Sequence, residues 1–365
     1  VPATSIRHEI SKLRDEDRMT STPDRPNILF IMDDQHRHDY LGTAGASWVN
    51  TPAIDSLAAR GLRFTHCTTN SPICAPSRIA LATGLQDDRV APMDNASYLS
   101  HRVPTYYQRL RDHSYRVGCV GKLDLGKPDP YDGRNGDRPV VFSWGFTHPV
   151  ECEGKIHAGR SKTPQGPYNY YLQELGLLDA FVDDYTERMA PIKEPLDFVA
   201  AKWIETGSGD SVLPTEAFED CYIGRRAVQW IREIPDDFPW HLFVSFVGPH
   251  DPYDPPTEYA DRYRDAEMPP AIEDDWIDKP AWIKQRASKR DPQNTDMVRR
   301  QYCAAIEAID DQVGLILEAL EERGMLDNTI ILFASDHGEM LADHGMYMKS
   351  TAYEPSLRVP LIMAG

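Results

Sequence analysis

The alternation of apolar and polar positions along the chain predicts strands and helices in turn. Short apolar runs bounded by Pro, Gly or Asp are typical of strands that are buried on both faces. Five stretches have this form: Asn27–Asp34, Tyr115–Val120, Leu242–Val247, Thr329–Ala334 and Val359–Met363. We predict helices over four more stretches: Ala53–Arg60, Pro104–Arg111, 216–234 and Asp296–Arg323. Pro52 and Gly61 mark the start and end of the first, and the last has apolar residues at helical spacing. Strands that alternate with helices favour an α/β fold with a mostly parallel central sheet flanked by helices.

Two long stretches, 127–215 and 249–295, lack a clear period and are rich in Pro, Asp and aromatic residues. They are too long to be simple connections between a helix and a strand, so we interpret them as loop regions that face a substrate. In the first stretch, Tyr168, Tyr170 and Tyr171 are candidates for stacking on a sugar or aryl ring.

Composition and charge narrow the class of protein. The 365 residues are 41% hydrophobic, as in globular proteins, and we divide them into a polar N-terminal tail (1–25) and one large α/β domain (26–365). The 39 basic and 57 acidic residues give a net charge of −18, which argues against nucleic acid and anionic membranes as partners. No apolar run approaches the ~18 residues of a membrane span.

The six cysteines show no CxxC spacing, which favours free thiols in a reducing compartment. No signal peptide is recognisable in the sequence, which favours a cytoplasmic location and leaves a periplasmic or secreted one open. The sequence carries no indication of the oligomeric state.

Side chains that can do chemistry follow four of the predicted strands. The carboxyl ends of parallel strands meet at one edge of a sheet, so we expect these side chains to lie together. They are Asp33 with Asp34, Lys122, His250, and Asp336 with His337. Adjacent carboxylates repel each other unless a cation lies between them. Oxygen-rich ligation with one nitrogen suits Ca²⁺, Mg²⁺ or Mn²⁺ better than a structural zinc, so we expect a divalent cation here.

Cys74 begins the most informative segment, Cys74-Ala75-Pro76-Ser77-Arg78, which is followed by Thr83-Gly84. Pro76 suits the first turn of a helix that runs to about Ala82. Cys74 would then lie just before the helix N-terminus, where free N–H groups and the helix dipole favour an anion. Arg78 lies one turn into the helix and can point toward the same anion. A cysteine in this context is either a small buried residue or a reactive, anion-binding nucleophile.

The motif C-x-P-S-R-x₄-T-G resembles that of type I sulfatases, members of the alkaline phosphatase-like superfamily. Other stretches agree with this resemblance: NILFIMDD, TPAIDSLAARGLRFTHC, GPHDPYDPP and SDHGEMLADHGMYMKSTAYEPSLRVPLI. It covers about residues 26–126 and 240–365, and it implies the α/β fold of that family. The family commonly adds a smaller C-terminal subdomain, which we expect to be missing from this chain because the sequence ends at Gly365.

The resemblance implies a function for each matched residue. A maturation enzyme would oxidise Cys74 to Cα-formylglycine, whose hydrate attacks the sulfur of a sulfate ester. One divalent cation, Ca²⁺ most often with Mg²⁺ or Mn²⁺ as alternatives, would be held by four residues: Asp33, Asp34, Asp336 and His337. Arg78 would stabilise the hydrate and the transferring group. Lys122 and Lys349 would neutralise sulfate oxygens, and His250 would contact the ester and protonate the leaving oxygen.

The sequence departs from the family pattern at Asp124. Many sulfatases carry GKxH after this strand, whereas this chain has Gly121-Lys122-Leu123-Asp124. Asp124 could replace that histidine as an acid only if burial raised its pKa. We expect four residues to contact the substrate: Lys122, Asp124, His250 and Lys349.

The sequence leaves three functions open. The leading prediction is hydrolysis of a sulfate monoester from a small aryl, sugar or choline-like substrate. The alternative is a phosphonate monoester or phosphodiester hydrolase of the same superfamily, because relatives with that activity also vary at this position. The third is a relative that binds sulfate without turnover, which no feature of the motif supports.

Overall fold

A seven-stranded sheet forms the centre of the protein. The structure, a computed structural model, describes residues 25–90, 94–129, 131–194 and 201–365, so the predicted polar tail lies outside the described residues except for Arg25. The strands are β1 (Asn27–Asp33), β2 (Gly61–Arg63), β3 (Arg116–Gly121), β4 (His148–Glu151), β5 (Trp240–Ser245), β6 (Thr329–Ser335) and β7 (Leu361–Ala364). Their order across the sheet is β2-β7-β6-β1-β5-β3-β4.

Helices occupy most of the connections between these strands. In the described part of the chain they are α1 (Pro52–Ala59), α2 (Cys74–Thr83), α3 (Asp87–Val90), α4 (Tyr106–Asp112), α5 (Pro139–Ser143), α6 (Lys155–Ala158), α7 (Pro167–Glu174), α8 (Leu178–Met189), α9 (Trp203–Gly207), α10 (Glu219–Glu233), α11 (Thr257–Ala260), α12 (Ala281–Arg286), α13 (Pro292–Glu322) and α14 (Glu354–Leu357). Short 3₁₀ turns lie at Gly42–Ala44, Thr215–Ala217, Asp261–Tyr263, Leu326–Asn328 and Asp343–Gly345. None of the described helices is both long enough and apolar enough to cross a bilayer.

The pairing of the strands confirms the predicted mostly parallel sheet. β1 pairs in parallel with β5 on one side and β6 on the other, and β3 pairs in parallel with β5 and β4. At the opposite edge, β7 runs antiparallel to both β6 and β2. The carboxyl ends of β1, β3, β5 and β6 therefore lie side by side along one end of the sheet, the end at which these parallel strands finish.

The two faces of the sheet carry separate parts of the core, because successive side chains of a strand point to opposite faces. Leu29 and Ile31 of β1 pack with apolar residues of α10 and α13. Phe30 and Met32 pack on the other face, with residues of α2 and α4 such as Ile79. Helices thus cover both faces, which explains why β1 reads as a continuous apolar run.

The stretch 127–215 is more regular than its sequence indicates. It contains β4 and the helices α5 to α9, most of which are only four to eight residues long. Elements this short, separated by Pro and Gly, do not establish a hydrophobic period, so pattern analysis does not detect them. Tyr168 is completely buried and donates a hydrogen bond to the Ala217 carbonyl at 2.9 Å, so its proposed stacking on a substrate ring is wrong.

All six cysteines lie in the described part of the chain, and none forms a disulfide. Five of them are buried and Cys67 is half-buried. The predicted free thiols are therefore confirmed for this structure.

Candidate active site

Four strand ends bring the predicted ligand residues together. β1 lies between β5 and β6, and the hydrogen bond from Asp34 N to Gly248 O (2.8 Å) ties the loop after β1 to the loop after β5. The ligand atoms of four buried residues lie within 4.8 Å of one another: Asp34, Cys74, Asp336 and His337. The structure thus places the motif cysteine directly beside three of the four predicted cation ligands.

The donor atoms of this cluster fit a hard divalent cation. His337 Nδ1 donates to the Gly338 carbonyl at 3.0 Å, so the lone pair of Nε2 faces Cys74 Sγ at 3.2 Å. The same Nε2 lies 3.8 Å from Asp34 Oδ1 and 3.6 Å from Asp336 Oδ1. Several carboxylate oxygens and one imidazole nitrogen form the kind of ligand set that suits Ca²⁺, Mg²⁺ or Mn²⁺.

Asp33 lies beside this cluster and has one oxygen without a partner. Its Oδ2 is 2.5 Å from His36 Nδ1, and His36 Nε2 is 2.9 Å from the Tyr40 carbonyl. Its Oδ1 is buried and makes no hydrogen bond to the described residues. A buried carboxylate oxygen without a partner is costly unless a cation occupies its lone pairs. Asp33 therefore fits the predicted ligand set, although His36 already holds its other oxygen.

Cys74 is the first residue of α2 and is fully buried. Burial and the Asp34 carboxylate both act to raise the pKa of the thiol. The ammonium groups of Lys122, Lys349 and Lys127 outweigh them and hold the pKa of Cys74 well below its ordinary value. Together with the free N–H groups of the helix start, these ammonium groups favour a negative charge at this position.

Arg78 holds two carboxylates of the cluster, those of Asp34 and Asp336, in place. Its guanidinium donates to Asp336 Oδ2 at 2.7 Å and to Asp34 Oδ2 at 3.0 Å. It also donates to Ser245 Oγ at 2.7 Å and to the Lys122 carbonyl at 2.8 Å. These four bonds connect α2 to the ends of β1, β3, β5 and β6. Arg78 therefore positions the predicted ligands, and its expected action on the transferring group stays a prediction.

Lys122 and Lys127 determine the ionisation of Asp124. The Asp124 carboxylate lies 3.3 Å from Lys122 Nζ and 2.7 Å from Lys127 Nζ. Burial acts to raise the pKa of Asp124, but the two ammonium groups lower it to about 2. Asp124 is consequently a carboxylate at neutral pH and has no proton to donate. The condition under which it could replace the missing histidine is not met.

Lys349 and His250 form a hydrogen-bonded basic pair near Cys74. His250 Nδ1 donates to the Asp251 carbonyl at 2.7 Å, so Nε2 accepts a hydrogen bond from Lys349 Nζ at 2.6 Å. Lys349 also donates to Gln35 Oε1. Both side chains are nearly buried. The pair thus offers a proton, shared between an ammonium and an imidazole, at the edge of the cluster.

Gln35 is a site residue that sequence analysis missed. Besides accepting from Lys349, its amide donates to Asp251 Oδ1 at 3.0 Å and to Glu339 Oε2 at 2.5 Å. Its backbone N–H donates to Asp336 Oδ1 at 3.1 Å, and its φ is 73°. Gln35 directly follows the two strand-end carboxylates, which is the signal that could have identified it. It was overlooked because an amide carries no charge.

A small cleft, which we call the side cleft, opens beside Lys122 and His250. The loop after β3 and the start of α6 form its walls. Its polar lining consists of Lys122, Asp124, Lys127, Lys155, His157 and His250. Lys127, Lys155 and His157 belong to the predicted substrate-facing stretch 127–215, but nothing in the sequence indicated which of its residues would face the site.

The sequence of this chain matches one protein family over nearly its whole length. The family model for Sulfatase matches residues 26–365. The chain belongs to the sulfatase family. Membership confirms the predicted fold class and the assignment as a sulfatase-family hydrolase.

Known sulfatases and one solved hydrolase resemble this sulfatase over almost its whole length. The arylsulfatase of Clostridium perfringens (strain 13 / Type A) is 30% identical over 362 residues, which cover 93% of this chain and 68% of that protein. The choline-sulfatase of Rhizobium meliloti (strain 1021) is 30% identical over 361 residues, which cover 94% and 63%. The crystal structure of the phosphonate monoester hydrolase of Agrobacterium radiobacter superimposes with a TM-score of 0.69 at 25% identity and covers 93% and 68%. The chain thus spans about two thirds of the length of these relatives.

Proposed function

We propose that this sulfatase hydrolyses the monoester of sulfate with a small alcohol. The observation that carries the proposal is the surrounding of Cys74. This residue lies at a helix start near two ammonium groups, Lys122 and Lys349, and beside a carboxylate–imidazole cluster suited to a divalent cation. Such a pocket stabilises a compact anion in a chain whose net charge is −18.

The proposal includes one divalent cation at Asp33, Asp34, Asp336 and His337, and conversion of Cys74 to formylglycine by a maturation enzyme. When present, the formylglycine hydrate and the cation supply an activated oxygen nucleophile and draw negative charge from the transferring group. The ammonium groups of Lys122 and Lys349 then act as point charges on the sulfate oxygens. Arg78 keeps the two carboxylates from moving as charge develops, because it binds both of them.

The proton for the leaving oxygen comes, in this proposal, from the pair of Lys349 and His250. Asp124 is excluded from this step because its pKa is about 2. The Asp251 carbonyl fixes the tautomer of His250, so that Nε2 faces Lys349 and the site. A proton held between these two nitrogens can pass to an alkoxide that lies beside them.

A second candidate is the hydrolysis of a phosphonate monoester or a phosphodiester. Two observations favour it: an aspartate stands where many sulfatases have histidine, and a phosphonate monoester hydrolase shares the fold at 25% identity. Sulfate monoesters, phosphonate monoesters and phosphodiesters all carry one negative charge at neutral pH. The charge of the pocket therefore does not distinguish them, and only a comparison of rates does.

The test uses protein from a host with a formylglycine-generating enzyme and three substrates with the same leaving group. These are 4-nitrophenyl sulfate, the 4-nitrophenyl monoester of phenylphosphonate, and bis(4-nitrophenyl) phosphate. We expect the highest kcat/KM for the sulfate ester, and a higher value for the phosphonate would establish the second candidate instead. The matched variant Cys74→Ala should lose all three activities. Turnover that persists in this variant would contradict both candidates.

A further inference from the structure

We propose that Arg286 is a positioning residue for Lys349: its guanidinium group holds the backbone around this lysine, so that the ammonium group stays paired with His250 near Cys74. The inference rests on the proposed function, in which Lys349 acts on the sulfate oxygens. Arg286 is the last residue of α12 and belongs to the stretch 249–295, which the sequence predicts to face a substrate. It would act on the reaction through the protein and not by touching the substrate.

The loop that carries Lys349 has an unfavourable backbone conformation. We call residues 341–350 the lysine loop. Five of its non-glycine residues have a positive φ: Leu341, Ala342, His344, Met348 and Ser350. Lys349 lies between the last two, whose φ values are 67° and 66°. Because a Cβ makes the left-handed region unfavourable, such a backbone persists only where surrounding contacts hold it.

Arg286 supplies these contacts on both sides of the lysine. Its guanidinium donates to the carbonyl of Lys349 at 2.7 Å, and to those of Tyr347 and Ser350 at 3.2 and 3.1 Å. Among the described residues, no other side chain donates to the Lys349 carbonyl. A charged donor makes stronger hydrogen bonds than a neutral one, and the planar guanidinium fixes its acceptors in one geometry. Without Arg286, this part of the backbone is free to relax.

The beginning of the lysine loop has partners of its own. Glu339 Oε1 accepts a hydrogen bond from the N–H of Leu341 at 3.1 Å, and Asp343 Oδ1 accepts one from Arg299 at 2.8 Å. These contacts do not involve Arg286. Loss of its guanidinium should therefore displace the end of the loop that carries the lysine and leave the rest of the loop folded.

A small displacement of this backbone is enough to affect the reaction. The Lys349 ammonium group donates to His250 Nε2 at 2.6 Å and to Gln35 Oε1. A lysine side chain is flexible and has no rigid geometry of its own, so its backbone determines which partners it can reach. Misplacement of an acting group by about 1 Å can cost about 100-fold in rate.

The experiment compares wild type, Arg286→Met and Arg286→Lys with 4-nitrophenyl sulfate. The converted fraction of Cys74 is measured for each preparation, so that kcat/KM is expressed per formylglycine. We expect Arg286→Met to lower kcat/KM about 10- to 100-fold, because the ammonium group of Lys349 is displaced. Arg286→Lys should recover part of this loss, since an ammonium group can bind some of the three carbonyls but lacks the planar fork.

A double-mutant cycle separates positioning from a general loss of stability. Lys349→Met is measured alone and together with Arg286→Met. If Arg286 acts through the lysine, the second substitution should add little to the loss of kcat/KM that the first one causes. A residue that only stabilises the fold would lower kcat/KM by the same factor in both backgrounds.

Arg323 offers a matched control, because its guanidinium also donates to three backbone carbonyls. It lies after α13 and before β6, at the end of the sheet where the parallel strands begin. Its acceptors are the carbonyls of Ile231, Arg232 and Ile234, at 2.8, 3.2 and 2.8 Å. Arg323→Met should lower the midpoint of urea denaturation about as much as Arg286→Met and leave kcat/KM at the wild-type value.

Three results would overturn the inference while the proposed function stands. They are wild-type kcat/KM in Arg286→Met, an equal loss of kcat/KM in Arg323→Met, and a full further loss when Arg286→Met is added to Lys349→Met. A different result refutes the proposed function and this inference with it: no release of sulfate by the wild-type protein, despite confirmed formylglycine.

Discussion

The substitution Asp124→Asn tests whether this carboxylate is a permanent anion or the acid that replaces the missing histidine. The carboxylate lies between Lys122 and Lys127, and its pKa is held at about 2. If it never carries a proton, the substitution removes a charge and leaves proton transfer intact. If it is the acid, the substitution removes the proton donor of the leaving oxygen.

The structure sets the size of the effect on stability. A fall of the Asp124 pKa from 3.8 to about 2 corresponds to about 2.5 kcal/mol of folding free energy at neutral pH. The sign follows from the lowered pKa: the contribution is complete above about pH 4 and is lost as the pH falls toward 2. We therefore expect Asp124→Asn to lower the free energy of unfolding by up to about 2.5 kcal/mol at both pH 7 and pH 5, measured by urea denaturation.

The effect on catalysis should be small. Loss of a general acid costs about 10²- to 10⁴-fold in rate, and the loss is largest for poor leaving groups. We expect Asp124→Asn to change kcat for 4-nitrophenyl sulfate and for an alkyl sulfate by the same small factor. His250→Asn is the positive control and should depress the alkyl sulfate far more. A selective loss of alkyl sulfate hydrolysis in Asp124→Asn would refute the assignment of Asp124 as a permanent anion.

Three further substitutions test the contacts of the site. Arg78→Met should cost about 3–5 kcal/mol in urea denaturation, since it removes the guanidinium from two buried carboxylates, of which only Asp34 keeps an ammonium partner (Lys122), and a loss below 1 kcal/mol would contradict the positioning role. Gly154→Ala should raise KM several-fold with an unchanged denaturation midpoint, because the new methyl group displaces Lys122; an unchanged KM would count against the contact. Gln35→Ala should lower kcat more than it raises KM, since it frees Lys349 from one of its partners, and wild-type kcat would exclude this role.

The central strands could be predicted from the sequence because each is buried on both faces. The apolar runs at β1, β5 and β6 lie within two residues of the predicted positions. β2 and β4 could not be predicted, since they have three and four residues and lie at the sheet edges, where one side of the strand is unpaired.

The residues of the candidate site divide in the same way. The carboxylates, His337 and Lys122 follow strands directly, so the rule for parallel sheets places them together. Gln35 and Ser245 also lie at strand ends, but neutral side chains are common there, so their position alone does not distinguish them from residues without a function. Lys155 reaches the site from a four-residue helix, and only the folded chain shows which lysine of that region faces the cleft.

In the proposed mechanism, hydrolysis depends on a formylglycine made from Cys74. The most direct measurement is mass spectrometry of the peptide that contains Cys74, on preparations made with increasing amounts of a formylglycine-generating enzyme, each assayed for sulfate release. We expect kcat to rise in proportion to the converted fraction of Cys74 and to be absent where only the thiol is found. Full sulfate release from protein whose Cys74 is entirely unmodified would contradict it.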